Sequence, residues 1–206
     1  MDLEQAKELF KNLNKTFEEN LELLSDLDAA TGDGDHGISM LKGFKTMADT
    51  LDLVEYKSVS EIFMSCGRIL MREIGGTCGP LFGSLFLSGA MAMKDELLND
   101  TQKWTKMFDD ATTKIMTLGK SKPGQKTMVD ALVPTVESLK KSVEENEDEK
   151  TAIQNAYEAA KAGAEKTKDM LSLRGRSRYQ GENSIGHQDA GATSISLIIK
   201  TIKETI

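Results

Sequence analysis

Proline occurs only three times in this chain of 206 residues, and cysteine and histidine twice each. Each scarcity excludes something. So little proline leaves long uninterrupted helices open, and 39% hydrophobic with 29% charged residues fits a folded helical protein better than a disordered one. Cys66 and Cys78, with no histidine at ligand spacing, make neither a disulfide framework nor a zinc site, so reduced thiols are expected. The longest weakly polar run, residues 80–93, is too short for a bilayer and is broken by Gly83, Ser84, Ser88 and Gly89. The acidic start Met1-Asp2-Leu3-Glu4 lacks the basic and apolar parts of a leader, so a cytoplasmic location with no membrane partner is expected. A net charge of -7 argues against a nucleic-acid surface, which needs clustered Lys and Arg.

Sustained period-two alternation is also missing, so essentially no sheet is expected. Apolar residues recur instead at three and four. Residues 3–24 form a first amphipathic helix and Ile38 to Leu51 a second; a third follows the capping-box pattern Ser58-Val-Ser60-Glu61 and ends at Gly75-Gly76. Pro80 opens a fourth, apolar on nearly every face and read as central, in which Gly83 and Gly89 mark the close approach of a neighbour. Trp104 to Leu118, Met128 to Val143 with a kink at Pro134, Ala152 to Leu171 and Ala192 to Ile202 complete eight. The expected fold is all-α, a single domain over residues 1–206, built as an eight-helix antiparallel up-and-down barrel or bundle. The methionines, 11 in all, serve as core filler.

What the chain does have is concentrated. Between Asp26 and Gly37 lie four carboxylates, Asp26, Asp28, Asp33 and Asp35, and three glycines. Bringing such charges together is costly unless a hard cation or a set of donors sits among them. One aspartate alone would be read as a helix N-cap. For Asp28, Asp33 and Asp35 together the reading is Mg2+, which takes oxygen ligands at about 2.1 Å and shares them with substrate phosphate; two ions are expected. Other motifs fit poorly. Gly32-x-Gly34-x-x-Gly37 follows a helix rather than a strand, an EF-hand begun at Asp33 would place Phe44 where its bidentate glutamate belongs, and Gly119-x4-Gly124-Gln-Lys126-Thr127 has one residue too many for a P-loop. His36 and His187 sit among Gly and Asp and are read as polar site contacts. One of Arg174, Arg176 and Arg178 is read as a phosphate clamp, since a guanidinium binds phosphate in a bidentate manner.

The unusual connections are those after the first, third, fifth and seventh helices, while the others are plain and charged. If neighbouring helices run antiparallel, all four odd connections lie at one end. An aspartate cluster, a Gly-Gly-Thr turn, a Gly/Lys loop and an arginine loop meeting at one pole have the parts of a nucleotide phosphate site.

Four motifs in order, Asp28-x4-Asp33-Gly-Asp35-His36-Gly37, Gly75-Gly-Thr77-Cys-Gly-Pro-Leu-Phe-Gly, Gly119-x-Ser-Lys-Pro-Gly-x-Lys-Thr-Met128 and Gly175-Arg176-x3-Gln-Gly-Glu-x-Ser-Ile-Gly-His187-Gln-Asp189-x-Gly191-Ala-Thr-Ser194, resemble the nucleotide-binding L subunit of dihydroxyacetone kinases. The resemblance covers nearly the whole chain. It implies an eight-helix barrel holding ADP (or ATP) and two Mg2+ ions at one end, with the metal on Asp28, Asp33 and Asp35. It implies nucleotide contacts at His36, Gly37, Ile38, Ser39, Thr77, Cys78, Gly119, Met128, Arg176, Asp189, Ala190 and Gly191, with His36 and Arg176 as the candidates for a catalytic part and no substrate base in this subunit. Family members commonly have Ser at position 78 and Pro at position 190, so Cys78 and Ala190 depart from the pattern, the first replacing a hydroxyl donor by a weak thiol. In the phosphotransferase-linked branch ADP is rephosphorylated by a phosphohistidine carrier and passes its phosphoryl group to dihydroxyacetone on a separate K subunit. Those two proteins, and a second copy of this chain, are the implied partners. The rival readings are an ATP-exchanging L module of another small-carbonyl or fatty-acid kinase and a non-catalytic nucleotide-sensing regulator.

Overall fold

The computed structural model describes residues 1–206, which form nine α-helices and two short 3-10 segments, with no strand. The helices are α1 (Leu3–Glu19), α2 (Leu21–Ala29), α3 (His36–Leu51), α4 (Val59–Glu73), α5 (Cys78–Met93), α6 (Asp100–Gly119), α7 (Val129–Glu144), α8 (Glu149–Lys166) and α9 (Ala190–Thr205). From α3 to α9 each helix packs on the next in sequence, and α9 returns to α1, which packs on α3. The result is a closed ring of staves, with α2 as an extension of the first stave. No helix is long and apolar enough to cross a membrane.

The ring closes because each stave has an apolar stripe to bury. Phe10, Phe17, Phe44, Phe63 and Phe86 meet inside it, Phe17 stacked on Phe44 with centroids 4.5 Å apart and Phe10 edge-on to Phe63 at 5.1 Å. Buried aromatic pairs in these geometries add about 0.5–1.5 kcal/mol to their area burial. Trp104 joins the cluster and keeps its indole N–H satisfied by donating to Glu149 Oε1 at 2.7 Å.

Three details differ from expectation. The first helix breaks at Asn20, whose side-chain amide donates to the Thr16 carbonyl at 2.8 Å and competes with the backbone ladder. The chain then resumes as α2 and continues to Ala29, so Asp26 and Asp28 lie on a helix rather than in a loop. At the start of α4, Ser58 Oγ accepts from the Glu61 N–H, but the Glu61 carboxylate accepts from Lys57 N–H instead of Ser58, so the capping box is half formed. The seventh expected helix stops at Lys166, and Thr167–Asp169 tightens into a 3-10 turn.

Glycines fix how near the staves come. α5 is a stave between α4 and α6, with Met91 56% exposed, and its apolar faces serve both neighbours. A Cβ on Gly83 would lie 2.8 Å from the Gly67 carbonyl and one on Gly89 2.5 Å from the Phe63 ring, as the sequence reading required. Gly163 of α8 is tighter still. Its Cβ would fall 2.3 Å from the Asp130 carbonyl, the acceptor that Pro134 cannot serve because proline has no N–H. Gly163→Ala is therefore expected to cost about 1–3 kcal/mol by overpacking α7 on α8. Ala162→Ser, one residue away and exposed, is expected to stay within about 0.5 kcal/mol. Urea unfolding checks both, and equal midpoints would mean that α7 and α8 do not approach this closely.

Candidate functional site

The connections at the two ends of the barrel are built differently. At one end α1, α4, α6 and α8 begin, and each has a side-chain cap: Asp2 accepts from Gln5 N–H, Ser58 from Glu61, Asn99 from Gln102 and Asp148 from Thr151. At the other end α3, α5 and α7 begin at Asp35, Thr77 and Met128, and none of these accepts a capping bond. Among the helices starting there only α9 is capped, Asp189 Oδ2 accepting from Ala192 N–H at 2.7 Å. Uncapped first turns present free N–H groups and the positive end of the helix dipole. Those of α3 and α5 share this pole, whereas at α7 the Thr127 hydroxyl takes the Val129 N–H at 3.2 Å.

The carboxylates stand beside them. Oxygen atoms of Asp28, Asp33 and Asp35 lie within 4.8 Å of one another. Asp28 comes from the last turn of α2 and accepts from the His36 N–H at 3.3 Å. Gly32 is in place because a Cβ there would lie 2.5 Å from Asp28 Oδ1, and Gly34 takes φ +77, which glycine adopts without penalty. Gly37 lets α3 sit on α2, since its Cβ would come within 2.4 Å of the Leu21 carbonyl. From the far side of the barrel mouth Arg176 pairs with Asp33 and lies 3.8 Å from Asp35. The cluster thus attracts a cation from its own chain.

Behind this opening the groups are buried. His36 is 7% exposed, its Nε2 bonded to Ser194 Oγ at 2.8 Å; burial lowers its pKa to about 4, against the opposing pull of Asp28. It is neutral at physiological pH. Cys78, at the first turn of α5, is pushed up to about 11, chiefly by burial and further by Asp189, Asp28 and Asp35, and is an unreactive thiol. Asp189 receives the same influences and rises to about 7: burial raises it most, the bond from Ala192 N–H lowers it, and Asp130 raises it again. A Cβ on Gly191 would lie 3.1 Å from Asp189 Oδ2 and 3.6 Å from Met128 Cβ, which places the start of α9 against the start of α7.

The remaining expected positions fall around the rim. Ile38 is 63% exposed, Ser39 is half-buried on the first turn of α3, Thr77 is exposed, Gly119 closes α6 and Ala190 opens α9. The His187 side chain is exposed, and its carbonyl accepts from Lys126. Of the three arginines only Arg176 faces the aspartates. Arg174 donates to Gln125 Oε1 at 3.0 Å, and Arg178 rests over the Tyr179 ring.

Sequence reasoning missed the residues that shape the second glycine loop. Asp130 accepts from Gly124 N–H at 2.5 Å and from Thr127 N–H at 2.8 Å, and Gln125 and Lys126 tie the loop to the segment after α8. Only Asp130, three residues after Thr127, carried a local signal. Ser194 closes the fourth motif of the resemblance, but its bond to His36, 158 residues away, had no signal, and Thr167, whose partner lies 22 residues away, had none.

The profile of the DAK2 domain matches residues 30–204. The chain belongs to the DAK2 domain family. This DAK2 chain is 37% identical over 186 residues to the ADP-binding subunit DhaL of the PEP-dependent dihydroxyacetone kinase of Escherichia coli, covering 90% of the chain and 89% of that protein. It is 34% identical to the corresponding subunit of kinase 1 of Listeria innocua over 99% of the chain and 97% of that protein. A D-erythrulose kinase of Mycolicibacterium smegmatis is 33% identical over 90% of the chain, which spans 32% of that enzyme. Among solved structures, the dihydroxyacetone kinase of C. freundii aligns with 98% of the chain at a TM-score of 0.74 and 23% identity. A second structure of that enzyme, in complex with AMP-PNP and Mg2+, aligns at 0.73. The DAK2 chain spans about a third of that enzyme, 34%, and at this identity the likeness shows the fold.

The raised pKa of Asp189 gives a test. A carboxyl protonated in the folded state up to about pH 7, against an ordinary 3.8, contributes stability that is complete below 3.8 and lost as pH rises through 7. Asp189→Asn keeps an acceptor for the Ala192 N–H and cannot ionise. In the nucleotide-free protein its stability advantage over the parent should grow from near zero at pH 4 to on the order of 3 kcal/mol at pH 8. Urea midpoints at the two pH values measure it; a constant difference would return Asp189 to an ordinary carboxylate.

Proposed function

We propose that this chain is the nucleotide-binding subunit of a dihydroxyacetone kinase. It holds ADP with Mg2+ and passes a phosphoryl group from a phosphohistidine carrier of the phosphotransferase system to dihydroxyacetone bound on a separate K subunit. The observation that carries this reading is the meeting, at one pole, of the Asp28, Asp33 and Asp35 oxygens with Arg176 and the open N-termini of α3 and α5. Acceptors for a metal and donors for phosphate lie side by side. The names of the relatives that match over nearly their full length supply the rest.

The residues fit Mg2+ by the nature of their donors: three carboxylates, no thiolate or imidazole among them, in a cluster that already takes up a guanidinium. When bound, Mg2+ would neutralise charge on the phosphate oxygens. The N–H groups of Gly37 and Ile38, and those of Thr77 and Cys78, have no partner in the chain and are left to donate to phosphate oxygens, while Ser39 offers its hydroxyl, its N–H being bonded to the Asp35 carbonyl at 2.9 Å. Arg176 adds a planar donor from the opposite side. Cys78 is held as a thiol and is not a nucleophile, and Ser194, bonded to Nε2 at 2.8 Å, holds the neutral His36 imidazole in one orientation. Met128, Gly191 and Ala190 shape the floor between α7 and α9, with Gly119 at its edge. Phosphoryl transfer asks mainly for positioning and charge neutralisation, and no group here is placed as a base for the acceptor. The relatives named as erythrulose kinases contain a matching region within longer chains, which supports placing the choice of acceptor outside this domain. In this reading residues 1–206 are one domain, two Mg2+ ions bind, the protein works in the cytoplasm, and a homodimer is one of its assemblies.

The deciding experiment is to purify the protein without added nucleotide, denature it and identify what is released by chromatography and metal analysis. Stoichiometric ADP with magnesium is expected. An empty protein that binds ATP reversibly would indicate an exchanging module instead, and no nucleotide binding at all would refute the site. Asp33→Ala and Asp35→Ala should each lose Mg2+-dependent ADP retention altogether while keeping the helical circular-dichroism spectrum; full retention by both would remove the metal assignment.

A further inference from the structure

Lys126 is the one buried lysine of the chain, 2% exposed, on backbone of φ +58. Its ammonium donates to three main-chain carbonyls: Thr167 at 2.7 Å, Met170 at 3.3 Å, and His187. An ammonium has three protons, and all three are taken. Burial lowers its pKa, while Asp189 and Asp169 raise it without forming an ion pair. A lysine after two glycines suggests a phosphate ligand, yet here nothing of its hydrogen-bonding capacity is left for phosphate.

The carbonyls it gathers are the two ends of one segment. Met170 precedes the loop that carries Arg176, and His187 ends it. Thr167, besides giving its carbonyl, accepts the Asp189 N–H on its Oγ1 at 2.9 Å. The neighbouring Gln125 adds two bonds to the same loop, from Leu173 N–H at 3.2 Å and Arg174 Nε at 3.0 Å. We propose that Lys126 is a positioning residue: its ammonium is a built-in monovalent cation in a carbonyl cage, which closes the loop 170–187 so that Arg176 reaches Asp33 and Asp35. The effect on ADP rests on the nucleotide reading above; the closure of the loop does not. Without the ammonium three inward carbonyls lose their donor, which costs more than the bonds themselves contribute.

The test uses Lys126→Met and Lys126→Gly in the full chain, with hydrogen exchange read by mass spectrometry and Mg2+-ADP binding by calorimetry. In Lys126→Met the helices should keep their protection, amides of 171–187 should exchange about tenfold faster or more, and ADP affinity should fall about tenfold or more. Ammonium ion in the buffer should restore both in Lys126→Gly, where the cage is empty and glycine suits the backbone, but not in Lys126→Met, whose side chain fills it. Unchanged protection of 171–187 in Lys126→Met would overturn the proposal. So would a loss of affinity with the loop still protected, since that would put the ammonium on the nucleotide. If the parent itself binds no ADP, the nucleotide reading fails and the exchange data still decide the loop. If Lys126→Met does not fold, acylation of the unsubstituted protein decides: Lys126 should react slowest of all lysines and slower still with Mg2+-ADP, and a rate like that of surface lysines would overturn the proposal.

Discussion

Hydrogen bonds left unmade at helix starts set the character of this molecule. Every α-helix begins with N–H groups that have no partner in the helix, and the usual remedy is a side-chain oxygen worth about 1 kcal/mol. The chain applies that remedy to all four helices that start at one end of the barrel and, at the other, leaves the Gly37 and Ile38 N–H groups of α3 and the Cys78 N–H of α5 without it. The asymmetry needs the ring to exist. Only an up-and-down order with short connections collects alternate helix starts at one pole, and only glycine at Gly37, Gly83 and Gly163 lets the staves lie close enough for the ring to close.

The charges of the open pole follow from the same arrangement. Carboxylates placed near helix N-termini are stabilised by the dipole, but several together repel one another. The chain manages this repulsion in two ways. Where solvent reaches, at Asp33 and Asp35, the negative charge is kept and met by Arg176. Deeper in, burial reduces charge of both signs: Asp189, half-buried, is moved to the edge of ionisation near pH 7 and so repels its neighbours less, Cys78 stays a thiol, and His36 is held neutral. Charge is therefore concentrated at the rim, with an uncharged polar layer beneath it, an arrangement suited to a charged ligand that approaches from outside.

Much of this was legible in the residues. The helices follow from apolar spacing, and the meeting of the odd loops from the order of the connections. The aspartates were legible because like charges so close in sequence have few structural uses. What was not legible depended on partners far apart in the chain. Nothing near Asn20 announces that its amide will break the first helix, and nothing near Ser194 indicates that it will hold an imidazole 158 residues away. At His187 the polar neighbours suggested a site contact by the ring, and the structure adds a use of its carbonyl, as an acceptor for Lys126, that nothing in the residues signalled. Local pattern reports which side chains want burial, but a backbone acceptor has no pattern.

The segment between α8 and α9 shows what that difference costs. It buries little apolar surface, and Leu171, Leu173, Tyr179 and Ile185 are all at least 40% exposed. A loop of this length cannot rely on the hydrophobic effect to offset its ordering entropy. It is held by polar stitches instead: Ser184 Oγ accepting from Ser172 N–H at 2.9 Å, Gly186 N–H donating to Lys168 O at 2.7 Å, and the Gln125 and Lys126 bonds to its ends. Such bonds contribute about 1 kcal/mol each, far less than the cluster of 43 buried residues that holds the barrel. Arg176 thus sits on a weakly held loop, opposite aspartates placed at the junction of α2 and α3. A rigid acidic wall facing an arginine on a weakly held loop is an arrangement in which a bound ligand stabilises the loop more than the barrel.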